Sequence, residues 1–215
     1  MKVKLANLEI TDHKVKGIKL KKPLRISVCR ETGQLLIGQW ENIEFVVRNV
    51  QSDVLKHMHV SNTDGSGQGA WCVTATGGRY AVLVWDKYLN GRIQWLDEEG
   101  HCTDTYGHDE GEKMKKAFQV IDVPGTEGSL IVVDSVNDRL HLVDSEHRLA
   151  QYLLTKEDNI LGPKYLYLDE ATSRLYVSHG AVGAYEVRVY IWQRHSGDSE
   201  IINFEVDVSL GKLSK

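Results

Sequence analysis

The sequence predicts an all-β chain built from a repeated unit of short antiparallel strands, and three observations predict it. Helical periodicity is missing over any useful length: only Glu110 to Phe118 has room for helical turns. Brief apolar runs end again and again in Gly, Asn, Asp or Ser, as strands joined by turns do. One hairpin, VVDSVNDRLHLVD from Val132 to Asp144, has copies elsewhere in the chain.

Aligned on Val132, the hairpin recurs as GQLLIGQ around Ile37, AWCVTAT around Val73 and SRLYVSH around Val177. Each copy follows a similar run (LRISVC, KHMHV, FQVIDV, KYLYLD) and precedes another (IEFVVRN, YAVLVW, DRLHLVD, YEVRVYIW). A fourth run, such as GRIQWLD or LAQYLL, often closes the unit. The centres are 36, 59 and 45 residues apart (37 to 73, 73 to 132, 132 to 177). Their average falls in the ~40–50 residues of a four-stranded propeller blade. The long middle interval holds DEEGHCTDTYGHDEGE, residues 97–112, which reads as an insertion in a loop.

Each segment then has its reason. Residues 1–22 read as the outer strands of a truncated blade. The basic cluster Lys14, Lys16, Lys19, Lys21, Lys22 and Arg25 suits contact with RNA phosphates, or else Lys14, Lys16 and Lys21 line an edge strand, where lysine discourages strand-to-strand aggregation. Residues 23–195 hold the blades. Leu130 to Val133 are apolar without alternation, so both faces of that strand need cover, which the inner strand of a blade receives from its neighbours. Leu140 and Leu142 alternate with Arg139 and His141, as on a strand wet on one face. Trp192 reads as core-facing in an outer strand. Residues 196–215 form a C-terminal strand or tail, in which Ile201 to Val208 alternates and pairs as an edge strand. The expected fold is a partial β-propeller of about four four-stranded blades plus an N-terminal fragment of another. A β-sandwich also makes short strands every 8–12 residues, but it calls for no repeated unit of this length.

Composition bounds the setting. Residues 1–50 hold ten Lys/Arg against five Asp/Glu, so the net charge of −4 leaves −9 for the rest. No apolar run approaches the ~20 residues of a membrane helix. MKVKLANLEITDHK lacks the apolar stretch of a secretory signal. The three cysteines, Cys29, Cys72 and Cys102, show no C-x-x-C spacing, and Cys29 and Cys72 sit in apolar runs as small buried hydrophobes. A reducing, cytoplasmic location is expected.

The segment GSLIVVDSVNDRLHLVDSEHRLAQYLLTKEDNILGPKYLYLD (128–169), followed by SRLYVSH, resembles the NHL-repeat propeller. In particular it resembles the C-terminal propeller of tripartite-motif (TRIM) proteins, as in the large expanded families of molluscs. The resemblance rests on the strand ending in Asp134, the Asn137-Asp138-Arg139 turn, Leu140 and Leu142, the Asp144-Ser145-Glu146 turn, the run Gln151 to Thr155, and the Gly162-Pro163 entry to the next blade. LRISVCRETGQLLIG and GRIQWLDEEGHCTDTYG resemble neighbouring blades. Two positions depart from the pattern. His147 stands where the family places a turn glycine, so the turn is expected to find another geometry, and His179 takes the place of Asp134 in the last blade. The family's propeller has six blades, and 215 residues suffice for four and a fragment. RING and B-box zinc domains are absent, since no Cys/His ligand cluster exists.

The resemblance implies a non-catalytic protein-recognition domain, related to the part of TRIM-NHL E3 ubiquitin ligases that recruits substrates. The expected partner is a protein or ubiquitination substrate. RNA recognition is the alternative and needs a basic face. A metal-dependent propeller hydrolase is the third reading and needs acids converging from several blades, with Asp122 and Asp169 the clearest candidates. No cofactor is expected. The contact loops are placed at Asp134, Asn137, Asp138 and Arg139, and at His101, His108, Lys115 and Lys116. Asp134, Asn137 and Asp138 also suit a purely structural turn, where their side chains cap backbone N–H groups. His57 and His59 share one face of a strand without an evident third ligand. HDEGE (108–112) does not fit a calcium loop, and no helix follows GSGQG (65–69) to bind phosphate. No G-x-S-x-G occurs, and no histidine is identifiable as a partner for a cysteine nucleophile.

Overall fold

The computed structural model of the chain describes residues 23–39, 44–48, 55–60, 69–107, 113–180, 185–194 and 202–213. The truncated unit expected at 1–22 lies outside them. Four antiparallel sheets, each a run of consecutive strands, are arranged as the blades of a four-blade β-propeller. Blade 1 contains β1 (Pro23–Val28), β2 (Leu35–Gln39), β3 (Glu44–Arg48) and β4 (Leu55–His59). Blade 2 contains β5 (Ala70–Thr76), β6 (Arg79–Trp85), β7 (Asn90–Leu96) and β8 (Cys102–Tyr106), with the short β9 (Met114–Lys115) also paired to β7. Blade 3 contains β10 (Ala117–Asp122), β11 (Leu130–Asp134), β12 (Arg139–Val143) and β13 (Leu149–Leu154). Blade 4 contains β14 (Tyr165–Asp169), β15 (Arg174–His179), β16 (Tyr185–Arg194) and β17 (Ile202–Leu213), so the alternating tail pairs with β16 as the fourth strand.

Register corrects the spacing of the repeat. Ile26 pairs with Ile37, Val73 with Val82, Val120 with Val132, and Leu166 with Val177. Val73 therefore belongs to a first strand, and its blade's equivalent of Val132 is Val82. KHMHV closes blade 1 rather than opening blade 2. The true intervals are 45, 50 and 45 (37 to 82, 82 to 132, 132 to 177). The acidic run is no single inserted loop either: Asp97 to His101 make a turn, and Cys102–Tyr106 is β8. The stretch with room for helical turns instead supplies β9 and the start of β10. The sole helical feature among the described residues is one 3-10 turn, Lys156–Asp158.

The inner apolar runs lack alternation because their two faces feed different cores. Leu130 and Val132 of β11 join the core between blades 2 and 3 with Leu83 and Ile93. Ile131 and Val133 join the core between blades 3 and 4 with Leu166 and Val177. In β6, Val82 and Val84 face blade 1 while Ala81 and Leu83 face blade 3. Each of these residues is withdrawn from water, and burying a Val, Leu or Ile side chain stabilises by about 1.5–3 kcal/mol. Trp192 packs against the core between blades 3 and 4, as expected.

Among the described residues three such cores join the four blades. Val73, Val120 and Leu166 pack toward the preceding blade, but Ile26 at the same register position is 64% exposed. On blade 4, Tyr167 is 65% exposed. Blades 1 and 4 approach each other through side chains at the centre: Arg25 lies over the Tyr165 ring, and Arg30 pairs with Glu170.

The turn at His147 keeps the left-handed conformation that glycine favours, with φ of 66°, contrary to the expected change of geometry. Histidine is among the few side chains enriched there. Its ring is held by stacking on Trp95 at 4.0 Å and by bonding to Asp104 Oδ2 at 2.6 Å. All three cysteines are free, with Cys29 and Cys72 buried. No helix among the described residues is long and apolar enough to cross a membrane.

Candidate functional site

The inner strands β1, β5, β10 and β14 all enter at one end of the disc, here the upper end. Turns after β6, β11 and β15, and the connections leaving β8 and β13, lie at that end because antiparallel strands alternate direction. These segments are bonded to one another across blades. Lys116 N–H donates to Leu89 O at 2.9 Å, and Val136 N–H to Lys115 O at 3.2 Å. Gly162 N–H donates to Asp138 Oδ1, and Gly180 N–H to Leu161 O, each at 2.6 Å. The result is a continuous rim from blade 2 to blade 4.

Asp134 is the knot beneath that rim. It is fully buried at the end of β11. Its carboxylate accepts from Lys115 N–H at 2.8 Å, Asn137 Nδ2 at 2.7 Å, Arg139 Nε at 3.1 Å and His141 Nε2 at 3.2 Å. Burial alone would raise its pKa, but the bonds from His141, Asn137 and Lys115 prevail and hold it below the usual carboxylate range. His141, also fully buried, bonds through Nδ1 to Tyr106 Oη of blade 2 at 2.6 Å. Asn137 further donates to Lys113 O at 3.2 Å. Asp134, Asn137 and Asp138 therefore act on the protein's own backbone.

Lys115 and Lys116 lie exposed on the rim, and Arg139 is half-buried, with its guanidinium over Tyr152. His101 sits apart from them. It immediately precedes β8 while Lys115 follows that strand, so a five-residue strand of about 17 Å separates their ends. His101 is exposed on the lower end and bonds to Asp97. His108 and the rest of HDEGE lie outside the described residues, as do Lys14 to Lys22 and residues 65–68 of GSGQG. His57 and His59 flank Glu44 at 4.0 and 3.8 Å. Among the described residues no group of three His, Cys, Asp or Glu side chains converges as metal ligands. Asp122 is bound by Thr74 Oγ1 at 3.2 Å and Arg30 Nε at 3.2 Å, and Asp169 serves its own turn. His179 does occupy the register position of Asp134, buried and without a hydrogen-bond partner for its ring among the described residues. Burial, and then Arg188, push its pKa down, which favours the neutral ring.

At the centre, the four inner strands line a cavity of about 420 Å³. Its lower mouth is crossed by Arg30, paired to Asp122 and Glu170. Its upper mouth is aromatic and cationic. A register irregularity at the head of β1, β5 and β10 re-aims the strand there. Trp71 and Trp85 stack at 4.1 Å, and Phe118 meets both edge-on. Trp71 Nε1 donates to Phe118 O at 2.9 Å and Trp85 Nε1 to Ala117 O at 2.7 Å, which fixes the rings. Cys72 lines the wall. Burial pushes its thiol up, so it stays protonated and a poor nucleophile. From the sequence Arg25 counts only as one of a basic cluster, and Trp71, Phe118 and Tyr165 carry no assigned role. The available signal was an aromatic residue opening the inner-strand run in three successive blades.

No protein-family model matches the chain, and no curated protein matches it. Solved structures do. A functionally unknown protein from Desulfotomaculum acetoxidans superposes with a TM-score of 0.60 at 10% identity, over 92% of this chain and 59% of that one. Catalytically inactive virginiamycin B lyase from Staphylococcus aureus with quinupristin gives 0.57 at 14%, over 87% and 56%. Hydrazine synthase of Kuenenia stuttgartiensis gives 0.58 at 13%, over 85% and 49%. The chain thus spans between 49% and 59% of the length of these structures. At such identities the likeness is one of fold, and the fold is the β-propeller.

Proposed function

We propose that this chain is a non-catalytic protein-recognition propeller, related to the substrate-recruiting domain of TRIM-NHL E3 ubiquitin ligases, which engages its partner with the upper rim. One observation carries the reading. Tyr88, Val136 and Leu161 are 71%, 51% and 50% exposed, and all three stand on rim segments. No other turn among the described residues exposes a large hydrophobic side chain. Apolar side chains held out on a bonded frame suit anchoring in a partner's pockets, at little entropic cost on binding. Lys87, Lys115 and Lys116 beside them favour a partner with acidic groups around its apolar anchors.

A photo-crosslinking residue at position 136, against one at Glu127 on the lower end, tests this in cell extract. Protein adducts specific to position 136, lost on Tyr88→Ala, are expected. Equal adducts at both positions would refute the reading. Adducts to RNA that weaken steeply with salt would replace it with nucleic-acid recognition.

A further inference from the structure

The central cavity carries a feature that rim recognition does not use. The Arg25 guanidinium lies 4.7 Å from the Tyr165 ring centroid and 5.8 Å from that of Trp71. Cation–π contact uses none of a guanidinium's N–H donors and leaves them available to a ligand. No carboxylate among the described residues forms an ion pair with Arg25, whereas Arg30 at the opposite mouth has two. Below Arg25 the cavity presents Ile26, Val28 and Tyr167, all more than half exposed. At about 420 Å³ the space falls within the ~300–1,000 Å³ of small-molecule sites.

We infer that the cavity binds a small organic carboxylate with a flat apolar body, its carboxylate held by Arg25 and its body against Ile26, Val28 and Tyr167. The charge asymmetry sets the orientation. An anion is favoured at the Arg25 end, where Lys164 lies 5.9 Å from the Phe118 ring, and disfavoured at the lower mouth, where Asp122 and Glu170 outnumber Arg30. A guanidinium already held in cation–π contact with two rings loses little freedom on binding, which favours its charge-assisted bonds to a carboxylate.

The test uses 2-naphthoate and its neutral counterpart 2-naphthylmethanol, titrated into the full chain and followed by tryptophan fluorescence. Naphthoate is expected to bind at least tenfold tighter than the alcohol, and Arg25→Gln to bring the two within twofold of each other. Ile26→Trp fills the cavity from a wall residue that packs loosely, and is expected to weaken naphthoate at least tenfold. It keeps the test open should Arg25→Gln fail to fold. Equal affinity for acid and alcohol on the native chain, no binding of either at millimolar concentration, or full naphthoate affinity in Ile26→Trp would overturn the assignment. The rim crosslinks are read separately, so failure here leaves that reading standing.

Discussion

Removing the Asp134 carboxylate should unfasten the rim from the blades beneath it. Asp134→Ala leaves Lys115 N–H, Asn137, Arg139 and His141 without their shared acceptor; His141 is closed to water, while Arg139 is half-buried. Breaking a buried charged pair by deleting one partner costs about 3–5 kcal/mol; because Arg139 can turn to water and His141 cannot, the low end of that range, about 3 kcal/mol, is expected. Asp134→Asn keeps one acceptor oxygen and should cost about half as much. A pH signature separates this from simple loss of volume. The folded carboxyl titrates below its unfolded value of about 3.9. Its contribution is therefore complete above that value and is lost as pH falls through the folded pKa. Urea unfolding followed by tryptophan fluorescence, from pH 7 down to pH 3, reads both effects. Native protein should lose stability in the acid window, and both variants should lose less there. A cost under about 1 kcal/mol for Asp134→Ala, or an acid slope equal to the native one, would refute the reasoning.

Other substitutions test separate parts of the structure. His147→Ala should be less stable than His147→Gly by about 1 kcal/mol in thermal melts, since both lose the Trp95 and Asp104 contacts but only glycine relieves the positive φ. Ile131→Ala should cost about 2–5 kcal/mol and Ile26→Ala less than about 0.5 in urea midpoints, because the first side chain is buried between blades and the second faces open space. In a thiol titration with an aromatic disulfide, half-buried Cys102 should react first, with Cys72 silent until unfolding.

The repeat was legible because two-sided burial leaves a mark on composition: Leu130 to Val133 is apolar throughout, as a strand between two blades requires. The register of blade 2 was not legible. AWCVTAT and YAVLVW are both buried on both sides, so their texture is alike, and only the hydrogen-bonding partners say which is first. His179 could be matched to Asp134 by counting from the strand centre, since strand register is local. Asp134 itself read equally as contact or as turn chemistry. Its burial depends on Lys115 and His141, one of which lies 19 residues away across a blade boundary. The cavity mouth was half legible. The blade repeat carries Trp71, Phe118 and Tyr165 to the heads of three successive inner strands, but a repeat says which positions are equivalent and not which side chains touch, so the contacts of Arg25 with Trp71 and Tyr165 could not be read.

Adjacent residues of one blade strand, β11, belonging to different cores is the claim on which the rest stands. Methyl-to-methyl NOEs measured on selectively labelled protein test it most directly. Val132 should show contacts to the core holding Leu83 and Ile93, and its neighbour Ile131 to the core holding Leu166 and Val177. NOEs from both residues to the same set of partners would contradict it.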